Sequence, residues 1–322
     1  ASLVHKTWEH IYVAGATLKK SFPIAPYTYK MIRGEDFYNT HLAVVKANKN
    51  ATILFEEVES WTDLEEHVLI KTTNNTYEGT QVFNSIFDYQ PLLKQQKYPV
   101  LQQHFLGWFI KTETPVFNEN EARFMDFSIP QQGNTRFMYV LPTSPTEALV
   151  EYTLFSKKTL SNPEYEEAIS SYMKTHYATE NYTITEKEQG SIPMTCYNFG
   201  KHNTKNVMHI GIAGGWAKAS TGYTFMRTVK KTNQLIMLLK NGKSLQRLQR
   251  KDKFWGYDLL LLNILNHDNS KGQYIFETLF KNAKPQAILK FLDEDTSLWE
   301  DLKIILNSPK KAFTKALLRQ LF

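Results

Sequence analysis

The sequence predicts an α/β fold in which a strand-rich middle region precedes a helical C-terminus. Two segments rich in β-branched and aromatic residues, Arg136–Leu141 and Ala148–Phe155, flank a Pro-Thr-Ser-Pro turn and indicate a hairpin. A short apolar run at 206–212 ends in glycines and precedes a helical pattern, which favours a buried parallel strand followed by a helix. From Leu245 onward the segments have helical periodicity.

The composition is that of a globular protein and excludes several classes of function. The chain has 322 residues, 42% hydrophobic and 13% aromatic, which is enough to bury a large core. Its net charge of +6 is compatible with an anionic cofactor or a membrane surface. The basic residues form no stripe interleaved with aromatics, which argues against nucleic-acid binding, and the nine histidines lack metal-ligand spacing.

The single cysteine, Cys196, excludes an internal disulfide bond and predicts a reducing, cytoplasmic compartment. We expect Cys196 to be a small buried side chain rather than a nucleophile. No apolar run is long enough to span a bilayer, and the first residues lack the apolar stretch of a secretory signal.

Taken in order, the chain divides into five regions. Residues 1–28 resemble short strands, and 29–94 contain a helix from Glu35 to Ala47 followed by short strands and turns. The strands of 95–200 include one at Glu121–Ser128. They are interrupted by a helix after Ser161, whose Ser-x-x-Glu box and following proline mark its start. Residues 201–242 hold the strand, glycines and helix, and 243–322 are helical.

Glu151 is a candidate acid because of its place in the second hairpin strand. Alternation places Leu149, Glu151, Thr153 and Phe155 on one face, and Glu151 is the only ionisable residue of that strand. If it is buried, its pKa rises and it becomes a proton donor near neutral pH. The alternative is a glutamate at a strand edge that points to water.

The strand–glycine–helix unit is a candidate anion site. Gly214 and Gly215 allow close approach of a ligand, and Ser220-Thr221-Gly222 are predicted to cap a helix that runs to about Lys240. A helix N-terminus favours phosphate or another anion. The alternative is an ordinary tight turn, because the glycine pattern is not GxGxxG and that pattern occurs nowhere in the chain.

The last helix is amphipathic, with basic residues opposite Phe313, Leu317, Leu318 and Leu321. Such a helix can lie on an anionic membrane surface. The alternative is a helix that packs its apolar face on the domain.

Four ordered stretches resemble the lycopene beta-cyclase family of flavoproteins. They are Met125-Asp126-Phe127, the hairpin segment 137–153, Ile192-Pro193-Met194-Thr195 and the glycine segment 211–225. The resemblance implies a FAD/NAD(P)-binding Rossmann-like fold with an inserted antiparallel β-rich substrate domain and a helical C-terminus. It assigns 29–94 and 201–242 to the FAD-binding domain, and 1–28 and 95–200 to the substrate domain.

The resemblance also implies an activity and its residues. The activity is cyclisation of the ends of lycopene, or a similar linear carotene, to beta-ionone rings. It uses reduced FAD, with NAD(P)H as reductant and no net redox change. Glu151 is the expected acid/base, and Asp126 is a second carboxylate that either shuttles protons or is structural. The expected cofactor residues are Gly214, Gly215, Lys218, Ser220, Thr221, Gly222 and Tyr223. A hydrocarbon substrate further implies a peripheral membrane association.

Two departures from the family pattern are visible. The N-terminal GxGxxG segment is missing, which predicts either an incomplete chain or weak FAD binding. Ser128, rather than arginine, follows Met-Asp-Phe. Two alternatives therefore remain: a flavin-dependent reductase or monooxygenase acting on an apolar isoprenoid, and a non-catalytic carotenoid-binding remnant.

Overall fold

The computed structural model describes residues 3–249 and 251–321. The strands are β1 (Val4–Trp8), β2 (His10–Ala14), β3 (Lys19–Pro23), β4 (Tyr29–Ile32), β5 (Val58–Asp63), β6 (Val68–Thr72), β7 (Thr76–Gly79), β8 (Val82–Asn84), β9 (Leu101–Thr112), β10 (Glu121–Asp126), β11 (Thr135–Pro142), β12 (Glu147–Ser156), β13 (Tyr182–Met194) and β14 (Val207–His209). The α-helices are α1 (Gly34–Ala47), α2 (Gln90–Leu93), α3 (Asn162–Tyr177), α4 (Phe225–Lys240), α5 (Lys253–His267), α6 (Gly272–Asn282), α7 (Pro285–Leu292), α8 (Leu298–Leu306) and α9 (Lys310–Leu321).

A seven-stranded sheet in the order β13-β9-β12-β11-β10-β2-β3 forms the centre of the fold. The predicted hairpin is confirmed as β11 and β12, which pair antiparallel over their whole length with Tyr139 opposite Glu151. β12 also pairs with β9, where Gly107 lies opposite Glu151. The sheet therefore surrounds Glu151 with neighbours from two strands.

The two faces of this sheet are covered by different helices. On one face Val150, Tyr152 and Leu154 pack against α3. On the other face Phe137, Tyr139 and Phe155 pack against apolar side chains of α5, α6 and α7. Burying each such large apolar side chain stabilises the fold by about 1.5–3 kcal/mol. The sheet is thus the middle layer of the molecule, and Glu151 lies on the face that is turned away from α3.

The edge strand β13 changes register once against β9. Ile184 pairs with Ile110, but the next pair is Glu186 with Phe109, so Thr185 is an extra residue. A β-bulge of this kind shifts the alternation of side chains by one position. Beyond the bulge, Glu188 lies opposite Gly107 and shares its face of the sheet.

The remaining strands form small sheets. β8 and β14 make a two-stranded parallel pair, while β5, β6 and β7 form an antiparallel meander. The predicted parallel strand at 206–212 is therefore present but spans only Val207–His209. The predicted helix at Glu35–Ala47 is confirmed as α1, and the Ser161 capping box begins α3 as predicted.

The predicted helix start at Ser220-Thr221-Gly222 is wrong, because α4 begins at Phe225. The Thr221 and Gly222 backbone amides both donate to the Lys218 carbonyl oxygen, at 3.3 and 2.8 Å, and Gly222 has a φ of +71°. These bonds close a tight turn that the αR conformation cannot continue. Within the described residues, the structure contains no helix that is long and apolar enough to cross a membrane.

Candidate functional site

Glu151 lies in the middle of β12 and has a carboxyl group surrounded by protein atoms, with only partial access to solvent. It projects between Tyr139 of β11 and Gly107 of β9. Thr153, two residues along the same face, donates a hydrogen bond from its hydroxyl to the Glu151 carboxyl. The strand alternation predicted from the sequence therefore places Glu151 in an enclosed setting, and the water-facing alternative is not what the structure contains.

A second carboxyl group, that of Glu188 on β13, lies against Glu151. The two strands are separated by β9, but Gly107 at the crossing point has no side chain. The Glu188 and Glu151 side chains are both paired opposite Gly107, and each carboxyl group affects the pKa of the other. Burial, together with the negative charge of Glu188, raises the pKa of Glu151 to about 8. Glu151 is therefore a protonated acid at neutral pH.

Aromatic side chains form the rest of this surface. The hydroxyl oxygens of Tyr139 and Tyr223 are 3.5 Å apart. The Tyr139 ring packs edge-on against the Phe137 ring, with 5.1 Å between their centroids. Tyr29 of β4 packs edge-on against Phe124 at 5.4 Å. Burial raises the pKa of the three tyrosines, so they stay neutral. The acid thus faces a surface of aromatic rings and uncharged hydroxyl groups.

The glycines of the 211–224 loop stand where backbone and side chains approach closely. A Cβ on Gly214 would lie 2.3 Å from the His209 carbonyl oxygen, and one on Gly222 would lie 2.2 Å from Gln103 Oε1. Gly215 has a φ of +70°, a backbone conformation that would be strained in a residue with a side chain. The loop is therefore folded back on β14 and on β9, and it brings Tyr223 to the Glu151 face.

Lys218 and Ser220 of this loop are occupied by protein partners. The Lys218 ammonium is buried and lies 3.0 Å from Asp258 Oδ1 and 3.1 Å from Glu294 Oε1. Ser220 donates to Asp258 Oδ1 at 2.6 Å. Burial alone would lower the pKa of Lys218, but its two carboxylate partners outweigh that effect and raise it. These two predicted cofactor residues therefore anchor the loop to α5 and to the α7–α8 turn.

Other atoms of the loop remain available to a ligand. The buried Thr221 Oγ1 and Gln103 Oε1 have no hydrogen-bond partner among the described residues. Buried polar atoms without partners are rare, and a bound polar group is one of the things that can satisfy them. A cavity of about 50 Å³ also borders the loop, with Gly215 in its lining. Thr221–Tyr223 and Gln103 therefore fit a cofactor that has polar ring atoms. Gln103 was not indicated by the sequence.

Asp126, the predicted second carboxylate, lies on the opposite face of the sheet. Burial would raise its pKa, but hydrogen bonds from Ser128 and Tyr172 and the charge of Arg123 outweigh it and lower the pKa. The Tyr172 hydroxyl donates at 2.6 Å and Arg123 Nη1 at 3.0 Å. The structure therefore does not bring Asp126 to Glu151, because bonds to α3 and to its own turn hold it as a buried carboxylate.

The comparisons with known proteins decide the family. A family model described as "Lycopene cyclase protein" matches residues 1–318. The chain belongs to the lycopene cyclase family.

A curated relative agrees with this assignment over part of the chain. The lycopene beta-cyclase of Paracoccus sp. (strain N81106 / MBIC 01143) is 27% identical over 128 residues, which are 38% of this chain and 32% of that protein. The matched segment thus spans about a third of the relative's length.

Solved structures of flavoenzymes share the fold of this lycopene cyclase family member. A geranylgeranyl bacteriochlorophyll reductase-like protein from Thermoplasma acidophilum has a TM-score of 0.59 and 11% identity, covering 99% of this chain and 84% of that one. The halogenase PltM has a TM-score of 0.56 and 10% identity, covering 90% and 66%. The tetracycline destructase Tet(51) has a TM-score of 0.52 and 12% identity, covering 91% and 81%. The predicted α/β flavoprotein fold is confirmed.

The structure also places Cys196. Cys196 is buried, and burial raises the pKa of its thiol, so it is an unreactive core side chain in this structure. Within residues 3–249 and 251–321 no group of three histidine, cysteine, aspartate or glutamate side chains gathers in a way that could hold a metal ion.

Proposed function

We propose that this chain cyclises the linear ends of lycopene, or of a similar carotene, to beta-ionone rings by acid/base chemistry without net redox change. The observation that carries the proposal is the protonated Glu151 carboxyl on an aromatic, mostly apolar face. A carotene offers only double bonds to an enzyme, and protonating one of them requires an acid that stays protonated at neutral pH.

In the proposed mechanism, Glu151 transfers its proton to the terminal double bond of the carotene. The resulting tertiary carbocation is attacked by the next double bond along the chain, which closes a six-membered ring. A carbon of the new ring then loses a proton to the Glu151 carboxylate, which restores the acid. The product therefore has the same number of atoms as the substrate. The ring faces of Tyr139 and Phe137 stabilise the cation while it exists.

The cofactor of the proposed reaction is FAD, with NAD(P)H as its reductant. Thr221, Gly222 and Tyr223, with Gln103, are the residues we propose to hold it, because two of them have buried polar atoms without partners. When bound, a reduced flavin supplies negative charge that stabilises the carbocation. Lys218 is not among these residues, because its ammonium is already paired.

We also propose that the substrate is taken up from a membrane surface, to which the protein binds peripherally on the cytoplasmic side. The face of α8 that is exposed carries Leu298, Trp299, Leu302, Ile305 and Leu306, and Trp299 is 77% exposed. Lys303 lies on the same helix, and Lys310 and Lys311 begin the next one. An aromatic and aliphatic face with flanking lysines suits an anionic bilayer interface.

A reductase acting on an isoprenoid is the second candidate, favoured by the structural similarity to the geranylgeranyl bacteriochlorophyll reductase-like protein. The two functions differ in the mass of their products. Cyclisation leaves the mass of the carotene unchanged, whereas reduction adds two hydrogen atoms for each double bond and consumes NAD(P)H.

The test is a pigment analysis in bacteria that accumulate lycopene. We expect a cyclised product of unchanged mass from the wild-type protein and about a hundredfold less, or none, from Glu151→Gln. Glu147→Gln is the matched control, since Glu147 is on the same strand but forms an outward ion pair with Lys111 at 3.1 Å. Normal cyclisation by Glu151→Gln would exclude Glu151 as the acid. A hydrogenated product would favour the reductase, and unchanged lycopene with the wild-type protein would favour a non-catalytic carotenoid-binding chain.

A further inference from the structure

Among the residues that the structure describes, Glu188 is a titratable neighbour of Glu151 that has no part in the mechanism above. It lies on β13, two strands away from Glu151, with β9 in between. Both glutamates have Gly107 of β9 as their cross-strand neighbour, so the three residues form a row across the sheet. The inference drawn from this row rests on the proposed acid role of Glu151.

Gly107 is what allows the two carboxyl groups to meet. A Cβ built at this position would lie 3.0 Å from Glu188 Cγ, 3.2 Å from Glu188 Oε1 and 2.9 Å from Leu149 Cδ1. The space above Gly107 is therefore filled by the side chains of its neighbours from both sides. Any larger residue at position 107 would collide with Leu149 of β12 and with Glu188 of β13.

The surroundings of the pair decide which carboxyl holds the proton. Glu188 is near Arg33, whose guanidinium is ion-paired with Glu186 and lies 4.3 Å from the Phe109 ring centroid. Burial and the charge of Glu186 disfavour the Glu188 anion, while Arg33 favours it. Glu151 has no cation among the groups that affect its charge.

The other groups facing Glu151 are neutral tyrosines. They are Tyr29 from β4, Tyr139 from β11 and Tyr223 from the loop before α4. None of them supplies a positive charge that could favour the Glu151 anion. The proton of the pair therefore resides on Glu151, and the negative charge resides on Glu188 beside Arg33.

We propose that Glu188 is a positioning residue, whose carboxylate accepts the hydrogen bond from protonated Glu151 and holds that proton in place for the substrate. In the reaction, the O–H bond of Glu151 breaks as the new C–H bond of the carotene forms. Glu188 keeps its charge throughout, so the carbocation is then faced by two carboxylates. The proton that the ring loses returns to Glu151, and the hydrogen bond to Glu188 is restored.

The test measures the titration of Glu151 directly, in protein without substrate. Protein labelled with ¹³C at the glutamate carboxyl groups is titrated by NMR, and the Glu151 signal is identified by its absence in Glu151→Gln. We expect the Glu151 signal of the wild type to respond in two steps, because a coupled pair titrates with two apparent pKa values. We expect Glu188→Gln to lower the pKa of Glu151 by about one unit or more, and Glu188→Asp, which keeps the charge, to leave it raised.

Controls and outcomes separate this inference from the proposed function. Glu147→Gln should leave the Glu151 titration unchanged. A one-step titration in the wild type, or an unchanged pKa of Glu151 in Glu188→Gln, would overturn the pairing even if lycopene is cyclised. If the pairing is present, cyclisation by Glu188→Gln should be lost at a lower alkaline pH than cyclisation by the wild type. The difference in pH should equal the change in the pKa of Glu151. A two-step titration in a protein that cyclises nothing would keep the pairing and reject the proposed function.

Discussion

Single carboxyl groups behave differently on the two faces of the central sheet. Asp126 accepts hydrogen bonds from Ser128, from Tyr172 and from the Arg123 guanidinium, so its ionised form is favoured. The neighbours of the Glu151 carboxyl group are one hydroxyl, that of Thr153, and a second carboxyl group, that of Glu188, so the neutral form of Glu151 is favoured. The residue type alone cannot distinguish these cases, because the partners come from other strands and from α3.

The pH dependence of stability is the prediction that belongs to the residue scale. The pKa of Glu151 rises from 4.5 to about 8 on folding, so the folded state binds more protons than the unfolded state between those values. Stability attributable to Glu151 is therefore present below about pH 4.5 and is lost as the pH rises to about 8. We expect Glu151→Gln to gain stability relative to the wild type over this range, on the order of a few kcal/mol.

Urea unfolding at pH 5 and at pH 8.5 measures this difference. Glu147→Gln serves as the control, because the exposed Glu147 has no comparable environment, and it should follow the wild type at both pH values. Parallel stability curves for the wild type and Glu151→Gln would contradict a raised pKa.

Individual strands and helices were predictable where one periodicity dominates. The alternation in 148–155 and the Ser-x-x-Glu box at Ser161 are local signals, and β12 and α3 follow them. The start of α4 was not predictable, because Ser220 is bonded to Asp258, 38 residues further along the chain. Glu188 was missed for a similar reason: its meeting with Glu151 depends on β13 pairing with β9 rather than with its neighbours in sequence.

The membrane contact predicted for the C-terminal amphipathic helix stays a prediction. The C-terminal helix packs Ala312, Phe313 and Ala316 on α5. Leu317 and Leu318 of the same helix are exposed, and α8 carries a longer exposed apolar stripe, which the sequence pattern alone does not distinguish from a buried face. We place the proposed membrane contact on α8, because its stripe is the longer one and includes the exposed Trp299. Leu321, named in the sequence prediction, has a side chain outside the described part.

Removing the aromatic anchor of α8 should weaken membrane binding without affecting the fold. We expect Trp299→Ser to reduce binding to anionic phospholipid vesicles about tenfold, since a Trp at the interface contributes most to such contacts. Vesicle sedimentation measures this. Tyr274→Ser on α6 is the matched control, because Tyr274 is 60% exposed but lies outside the stripe. Equal binding by both variants would reject the α8 surface.

At the scale of the whole molecule, a few buried polar contacts tie distant segments together. The Trp8 indole donates to the Pro142 carbonyl oxygen at 3.1 Å, which joins the first strand to the β11–β12 turn. Lys218 joins the 211–224 loop to Asp258 of α5 and to Glu294 in the α7–α8 turn. The strand-rich and helical regions are therefore held in one structure by contacts that span much of the chain.

Loss of the Lys218 ammonium should weaken this connection. We expect Lys218→Met to lower the free energy of unfolding by roughly 3 kcal/mol or more, because the buried Asp258 carboxylate loses its cation and, among the described residues, Glu294 keeps only Arg227, at 3.4 Å. Urea unfolding of protein without FAD measures the loss and separates it from any effect on cofactor binding. Lys174→Met, which removes an exposed ion pair with Glu180 at 2.9 Å, should cost less than about 1 kcal/mol. Equal losses in both variants would contradict the anchoring role.

The bulge at Thr185 has a consequence for how this chain tolerates change in its length. If β13 kept all its residues but paired with β9 without the bulge, its alternation would be inverted beyond Ile184. Lys187, which now reaches Glu166 of α3, would then stand opposite Gly107 in place of Glu188. Deletion of the Thr185 codon, by contrast, would leave Glu186 opposite Phe109 and Glu188 opposite Gly107, so the two glutamates would still meet. When lineages of this family are compared, a gap of one residue at Thr185 is therefore expected to preserve the row of Glu151, Gly107 and Glu188.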